Sequence, residues 1–317
     1  MIDRAHLLTE RRLAASMSLD NLPTEQAVAL MNEQDAVAVA AVAKVRPQVA
    51  AAVEMVAAAL AGGGRLIYFG AGTSGRLGVL DAAECPPTFR CDPRQVQGVI
   101  AGGDGAMFQA VEGAEDSAAG GEAAVDQKQI GSADVAMGIA AGGTTPFVHG
   151  VLKRARERGA KTVFLCCVEP LAGEPAADVV IRPLTGPEVI TGSTRLKAGT
   201  ATKLVLNQIT TLAMVRLGKV YENLMVDLRA TNQKLWDRAA RIVSTLTGLS
   251  RDDALSLLRQ ADGRVKVAVV MHRKSTPAAQ AIELLNQCGG FLRRALNPDA
   301  ASEHLKERDA PQRGTDD

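Results

Sequence analysis

Net charge is nearly absent from this 317-residue sequence: 36 lysines and arginines face 35 aspartates and glutamates, leaving +1. Without a basic excess there is no global field for nucleic acid or an anionic membrane. Long apolar runs are missing too. No stretch is long enough to span a bilayer, and the Met1-Ile2-Asp3-Arg4 start lacks the apolar segment of a signal peptide. The five cysteines (Cys85, Cys91, Cys166, Cys167 and Cys288) form no CxxC pair and no histidine-rich cluster accompanies them. The usual zinc spacings are therefore excluded, and no metal site is expected. An odd cysteine count without an export signal implies free thiols in a reducing cytoplasm.

What is present suits a globular protein with a real core: 47 % hydrophobic and 22 % charged residues. The length allows one large domain with an appendage, or two ordinary ones. Residues 25–60 are alanine-rich with helical apolar spacing, split near Arg46-Pro47, and Gly62-Gly63-Gly64 closes the second helix. Strands are then expected at 65–69, 96–101, 134–141, 161–168 and 178–183. Helices are expected at 105–128, 145–158 and 194–217. This alternation predicts an α/β fold, a doubly wound parallel sheet flanked by helices. From about residue 236 the strands stop, and short helices separated by Gly248, Gly263 and Gly289-Gly290 predict a small helical domain. The expected divisions are 1–52 (N-terminal helical segment), 53–235 (sheet domain), 236–300 (small helical, UBA-like domain) and 301–317 (charged, disordered tail).

Three turns combine glycine with hydroxyls ahead of a helix. Gly70-Ala71-Gly72-Thr73-Ser74-Gly75 follows the first strand, Gly142-Gly143-Thr144-Thr145 follows the third, and Thr191-Gly192-Ser193-Thr194-Arg195 opens the long helix. A helix start offers free N–H groups and about half a positive charge, so it attracts phosphate. The first turn has the Gly-x-Gly-x-x-Gly spacing of a dinucleotide site, although the glycines alone also suit a plain strand-to-helix turn. A dinucleotide fold needs an acid at the end of the next strand. Asp92 is at a suitable distance in sequence but precedes that strand. A small phosphorylated ligand gripped by several turns explains more of the pattern.

Two groups of carboxylates could do chemistry beside such a ligand. Glu84 lies in Asp81-Ala82-Ala83-Glu84-Cys85-Pro86-Pro87, where the prolines predict the end of the helix. A carboxylate at that negative end of the helix dipole would hold its proton more tightly, which suits an acid. Glu112 and Glu115 stand three apart on the expected 105–128 helix and share a face. Spacing does not choose between them.

These residues resemble a known family. The stretch from Gly70 to Thr88 and Val111-Glu112-Gly113-Ala114-Glu115-Asp116-Ser117 closely resemble the N-acetylmuramic acid 6-phosphate etherases, of the sugar-isomerase (SIS) superfamily. The stretch from Gly186 to Thr200 is similar to the signature those enzymes share with the glucokinase regulatory protein. Gly218–Asp227 and Ala230–Leu235 also fit, and the likeness runs from about Leu8 to Leu296. It implies a cytoplasmic homodimer without a cofactor, acting on a small sugar phosphate and touching neither nucleic acid nor membrane. It implies cleavage of a C3 lactyl ether to N-acetylglucosamine 6-phosphate and D-lactate, in cell-wall sugar recycling. Glu84 and Glu115 match the two catalytic glutamates, with Glu84 expected as acid and Glu115 as base. Substrate contacts are expected at Thr73, Ser74, Gly75, Gly143, Thr144, Thr145, Ser193 and Thr194, with Arg195 and Lys197 as further candidates for an anion.

The sequence departs from the family pattern at residues 141–146. Ala-Gly-Gly-Thr-Thr-Pro stands where Ala-Ser-Gly-Arg-Thr-Pro is usual, so a hydroxyl and a guanidinium are missing. Smaller departures are Leu13, in place of a usual asparagine, and Cys167-Val168-Glu169-Pro170 in place of Cys-Asn-Pro. A sugar-phosphate isomerase and a non-catalytic sugar-phosphate regulator are the alternative readings; retention of both Glu84 and Glu115 argues against the second.

Overall fold

The computed structural model describes residues 7–228 and 233–297. The expected tail at 301–317 lies outside the described residues. The chain divides into two units, residues 1–86 with 91–213, and residues 87–90 with 214–317.

The first unit begins with a short 3-10 turn, Leu8–Glu10. Helices α1 (Thr24–Lys44) and α2 (Arg46–Ala61) follow, bent by 63° at Val45. Pro47 sits in the first turn of α2, where its missing N–H costs nothing. The sheet and its helices are β1 (Leu66–Gly70), α3 (Gly72–Phe89), β2 (Val96–Ile100), α4 (Ala118–Gln127), β3 (Val135–Ile139), α5 (Pro146–Glu157), β4 (Lys161–Leu165), β5 (Val179–Ile181) and α6 (Lys197–Arg216). All pairings in this sheet are parallel, in the order β2-β1-β3-β4-β5. β1 and β3 are buried at every position, as strands covered on both faces must be.

Side-chain alternation assigns the layers. Ile67, Phe69, Ala136 and Phe164 pack with Val125, Val148 and Leu152 of α4 and α5 on one face. Tyr68 and Ile139 point to the other, where Gly78 brings α3 so close that an added Cβ would lie 2.8 Å from Tyr68 Cβ. No single described helix is long and apolar enough to cross a membrane.

The second unit has a small antiparallel hairpin, β6 (Val220–Tyr221) and β7 (Leu224–Met225), then α7 (Gln233–Thr247), α8 (Arg251–Gln260), α9 (Val265–Lys274), α10 (Ala278–Gln287) and α11 (Leu292–Leu296). Ala239, Val243, Leu258, Val269, Ala281 and Leu292 form its core. Lys266, which is buried, joins Asp227 at 3.1 Å and donates to the Gly290 carbonyl at 2.9 Å.

Two expectations about helices fail. Residues 105–128 are not one helix. They form 3-10 turns at Asp104–Met107 and Ala114–Asp116, and only then α4. Gly113 adopts φ +72, and Ser117 caps α4 by accepting the Gly120 N–H at 2.9 Å. A capping serine starts a helix after itself, so Glu112 and Glu115 lie on a loop and share no helical face. Nor do Pro86 and Pro87 end α3, which continues to Phe89. The prolines deprive the Ala82 and Ala83 carbonyls of their usual donors. Burial of Cys85 and Phe89, one turn apart, holds the last turn against that loss. Glu84 therefore sits in the body of the helix, and the dipole argument for its acidity lapses, because that effect is confined to the last turn.

Candidate functional site

The chain leaves β1 for β2 on one side and leaves β3 for β4 on the other, although β1 and β3 are neighbours. Right-handed crossovers then send α3 and α5 over opposite faces. A crevice opens between the two turns at the carboxyl ends of these strands, the place where doubly wound sheets bind ligands. The turns at 70–75 and 141–146 are its two walls.

The first turn is built by close approach. A Cβ at Gly75 would lie 2.6 Å from the Gly70 carbonyl oxygen and 2.7 Å from Ile100 Cγ1, so only glycine lets α3 start there. Thr73 and Ser74 occupy the first turn of α3, half-buried. In the second turn Gly143 takes φ +72, and a Cβ on it would meet Val168 Cγ2 at 2.9 Å. Thr145 is the N-cap of α5, yet its hydroxyl makes no capping bond. The hydroxyls of Thr73, Ser74, Thr144, Thr145, Ser193 and Thr194 form no hydrogen bond among the described residues, which leaves them available to a ligand.

The third turn approaches the same place. Thr73 Cγ2 lies 3.7 Å from where a Cβ on Gly199 would stand. Thr9 bridges the other side: its carbonyl accepts the Gly192 N–H at 3.1 Å, and its hydroxyl lies 3.9 Å from the Cβ position of Gly142. Thr9 is fully buried and its hydroxyl has no partner among the described residues. Sequence reading missed it, because nothing local marks a threonine ahead of the first long helix.

The start of α6, however, is closed to an anion. Both oxygens of the buried Glu188 carboxylate accept its first amides, Lys197 N–H at 2.9 Å and Ala198 N–H at 3.0 Å. The expectation of three anion-ready helix starts is thus reduced to two. Lys197 is no surface charge: it is 2 % exposed and donates to Gln34 Oε1 of α1 at 2.8 Å. Burial lowers its pKa, and burial raises that of Glu188. Arg195 is exposed.

Glu115 is brought to the first turn. Arg76 donates to the Ala106 carbonyl at 2.8 Å and the Met107 carbonyl at 3.0 Å, clamping the 104–107 segment to α3. Beyond the clamp is a cavity of about 290 Å³ lined by Gly72, Arg76, Ala101, Val111, Glu112 and Glu115. Both glutamates line it, so spacing and cavity alike leave Glu112 beside Glu115.

Glu84 is placed elsewhere. It lies twelve residues after Gly72 on a continuous helix, about 18 Å along the axis at 1.5 Å per residue. It is exposed, and so is Leu80 one turn earlier on the same face, at 45 %. The inward face of the same helix is fixed: Asp81 accepts from Tyr68 Oη at 3.0 Å and from Lys203 Nζ of α6 at 2.8 Å. Burial, with Asp81 nearby, pushes the Tyr68 pKa well above its ordinary value. Burial raises Cys85 to about 12, so the thiol beside Glu84 is unreactive. Asp92 stands before β2, at the opposite end of the sheet from the glycine turns, and pairs with Arg94 at 2.6 Å. That position rules out a ribose contact.

The doubly wound sheet, with open helix starts at the switch point and unbonded hydroxyls around it, is an α/β fold of the SIS class with a crevice open to an anion. Consistent with this, residues 48–156 match the glucokinase regulatory protein N-terminal SIS domain, and residues 222–282 match the C-terminal lid domain of glucokinase regulatory protein. The chain is 53 % identical over 296 residues to an N-acetylmuramic acid 6-phosphate etherase of Synechocystis sp., covering 93 % of this chain and 97 % of that one. It is 55 % identical to the protein of that name from Synechococcus elongatus, covering 93 % and 96 %. A third, from Nostoc punctiforme, is 53 % identical with the same coverage. The chain belongs to the N-acetylmuramic acid 6-phosphate etherase family.

Proposed function

We propose that this protein is a cytoplasmic homodimer that cleaves the C3 lactyl ether of N-acetylmuramic acid 6-phosphate, releasing D-lactate and N-acetylglucosamine 6-phosphate. The observation that carries the reading is the crevice itself. Two open helix starts with uncommitted hydroxyls face it, and Glu115 lines the adjoining cavity, in a chain 53 % identical over 296 residues to an etherase. The starts of α3 and α5, with Ser74 and Thr145, hold the phosphate.

An ether oxygen at C3 is a poor leaving group for direct displacement. Opening the sugar to its aldehyde makes the C2 proton acidic. Glu115, as carboxylate, removes that proton. The electron pair forms the C2–C3 double bond as the C3–O bond breaks, and Glu84, as carboxylic acid, protonates the departing lactate oxygen. Water then adds at C3 and a proton returns to C2, so one water is consumed overall. The two glutamates begin in opposite protonation states, which requires different environments.

Within one chain Glu84 lies about 18 Å along α3 from Gly72, which lines the cavity with Glu115, a separation we take as too long for one sugar phosphate to bridge. The reading therefore places Glu84 in the crevice of a second copy, across a twofold interface. Exposed Leu80 beside Glu84, and Phe108 (92 % exposed) and Val111 near Glu115, supply apolar surface for that contact.

The test is incubation with N-acetylmuramic acid 6-phosphate in ¹⁸O-labelled water. Release of D-lactate with label in the new C3 hydroxyl is expected; folded dimer that releases no lactate overturns the reading. Glu84→Gln should keep exchange of the C2 proton with deuterium while losing lactate release.

A further inference from the structure

The turn at 141–146 lacks the serine and arginine that its family pattern carries, yet its backbone is held in one conformation. The group responsible is a side chain from the helix that follows. His149, half-buried in the first turns of α5, places Nε2 2.8 Å from the Gly143 carbonyl oxygen. A carbonyl only accepts, so the ring nitrogen donates and the imidazole carries its proton on Nε2. The ring stands edge-on to Phe164 of β4, with centroids 6.4 Å apart and planes at 86°, which fixes its orientation.

This single bond sets several others. In a trans peptide the N–H points opposite to the C=O. Drawing the Gly143 carbonyl toward α5 therefore turns the Thr144 N–H away from that helix. Gly143 is pinned from its other side as well, its own N–H donating to the Ala140 carbonyl at 2.8 Å. The Cβ-free face of Gly143 rests on Val168 and Leu171, so the left-handed turn cannot shift inward. The N–H groups of Gly142, Thr144, Thr145, Phe147 and Val148 make no hydrogen bond among the described residues.

We propose that His149 is the positioning residue of the phosphate turn: by holding the Gly143 carbonyl it presents the backbone N–H groups of Gly142, Thr144 and Thr145 to the phosphate, in place of the side chains missing at 142 and 144. The proposal rests on reading residues 141–146 as a phosphate turn. His149 itself does not touch substrate, and its effect is on binding.

The test compares His149→Phe, His149→Gln and Thr145→Val with the unaltered dimer, reading KM, kcat and the inhibition constant of inorganic phosphate. Phenylalanine keeps the ring against Phe164 but cannot donate; glutamine restores an N–H donor at the same reach. His149→Phe is expected to raise both KM and the phosphate inhibition constant about tenfold, the worth of one hydrogen bond, with kcat nearly unchanged. His149→Gln should recover most of that loss. If Thr145→Val weakens phosphate inhibition and His149→Phe does not, the turn binds phosphate and the role given to His149 is wrong. If neither variant moves it, the phosphate-turn reading itself falls.

Discussion

Two glycine-hydroxyl turns, at 70–75 and 191–195, meet opposite fates. Each combines glycine, threonine and serine ahead of a long helix. At the first, the amides and hydroxyls of Thr73 and Ser74 remain open beside a cavity that holds Glu115. At the second, Glu188 folds back and fills the helix start with its own carboxylate. A helix start binds whichever anion is available, and here the sequence supplies one of the two from within. The difference teaches that a glycine-hydroxyl turn is a binding site only when no internal carboxylate caps the helix behind it.

That contrast can be broken at several points. The largest effect belongs to the open turn: Glu115→Gln should lower kcat for lactate release about a thousandfold, the range of a lost general base. If Glu112→Gln does so instead, the cavity is right and the assigned residue wrong. Next is the sealed turn. Glu188→Ala would leave two amides orphaned and the buried Lys197 with only Asp35 as a counter-charge, so unfolding stability should fall by about 3 kcal/mol, read from the urea midpoint. Unchanged stability would mean that the seal is not structural. Ser74→Ala and Thr145→Ala should each raise KM by up to about tenfold and leave stability nearly intact. Smallest is Ser193→Ala, in the sealed turn, expected to change KM less than Ser74→Ala, because its helix amides are already taken. A Ser193→Ala effect larger than that of Ser74→Ala would reverse the comparison.

Much of this arrangement was readable in the residues. The five strands were legible because each is a short apolar run, and the turns because glycine and hydroxyls are local signals. The family resemblance supplied Glu84 and Glu115. Three features were not legible, each for a physical reason. The seal on α6 depends on Glu188, nine residues before the amides it caps, and only the folded turn reveals that it reaches them. The continuation of α3 through Pro86 and Pro87 depends on burial of Cys85 and Phe89, which outweighs a local helix-breaking rule. The loop state of Glu112 and Glu115 depends on the capping bond of Ser117, where small residues made a continuous helix look natural. Thr9 and His149 lie outside every motif and enter the site only because of what packs against them.

In the proposed reading Glu84 and Glu115 act in one site although, within one chain, Glu84 lies about 18 Å along α3 from Gly72, which lines the cavity with Glu115, so each site draws on two chains. The direct measurement is activity after mixing two inactive variants, Glu84→Gln and Glu115→Gln, under conditions that let dimers exchange. Random pairing in a twofold dimer gives half the dimers one intact site, so the mixture should recover about a quarter of the unaltered activity. A mixture of exchanged dimers that stays as inactive as either variant alone would contradict the shared site.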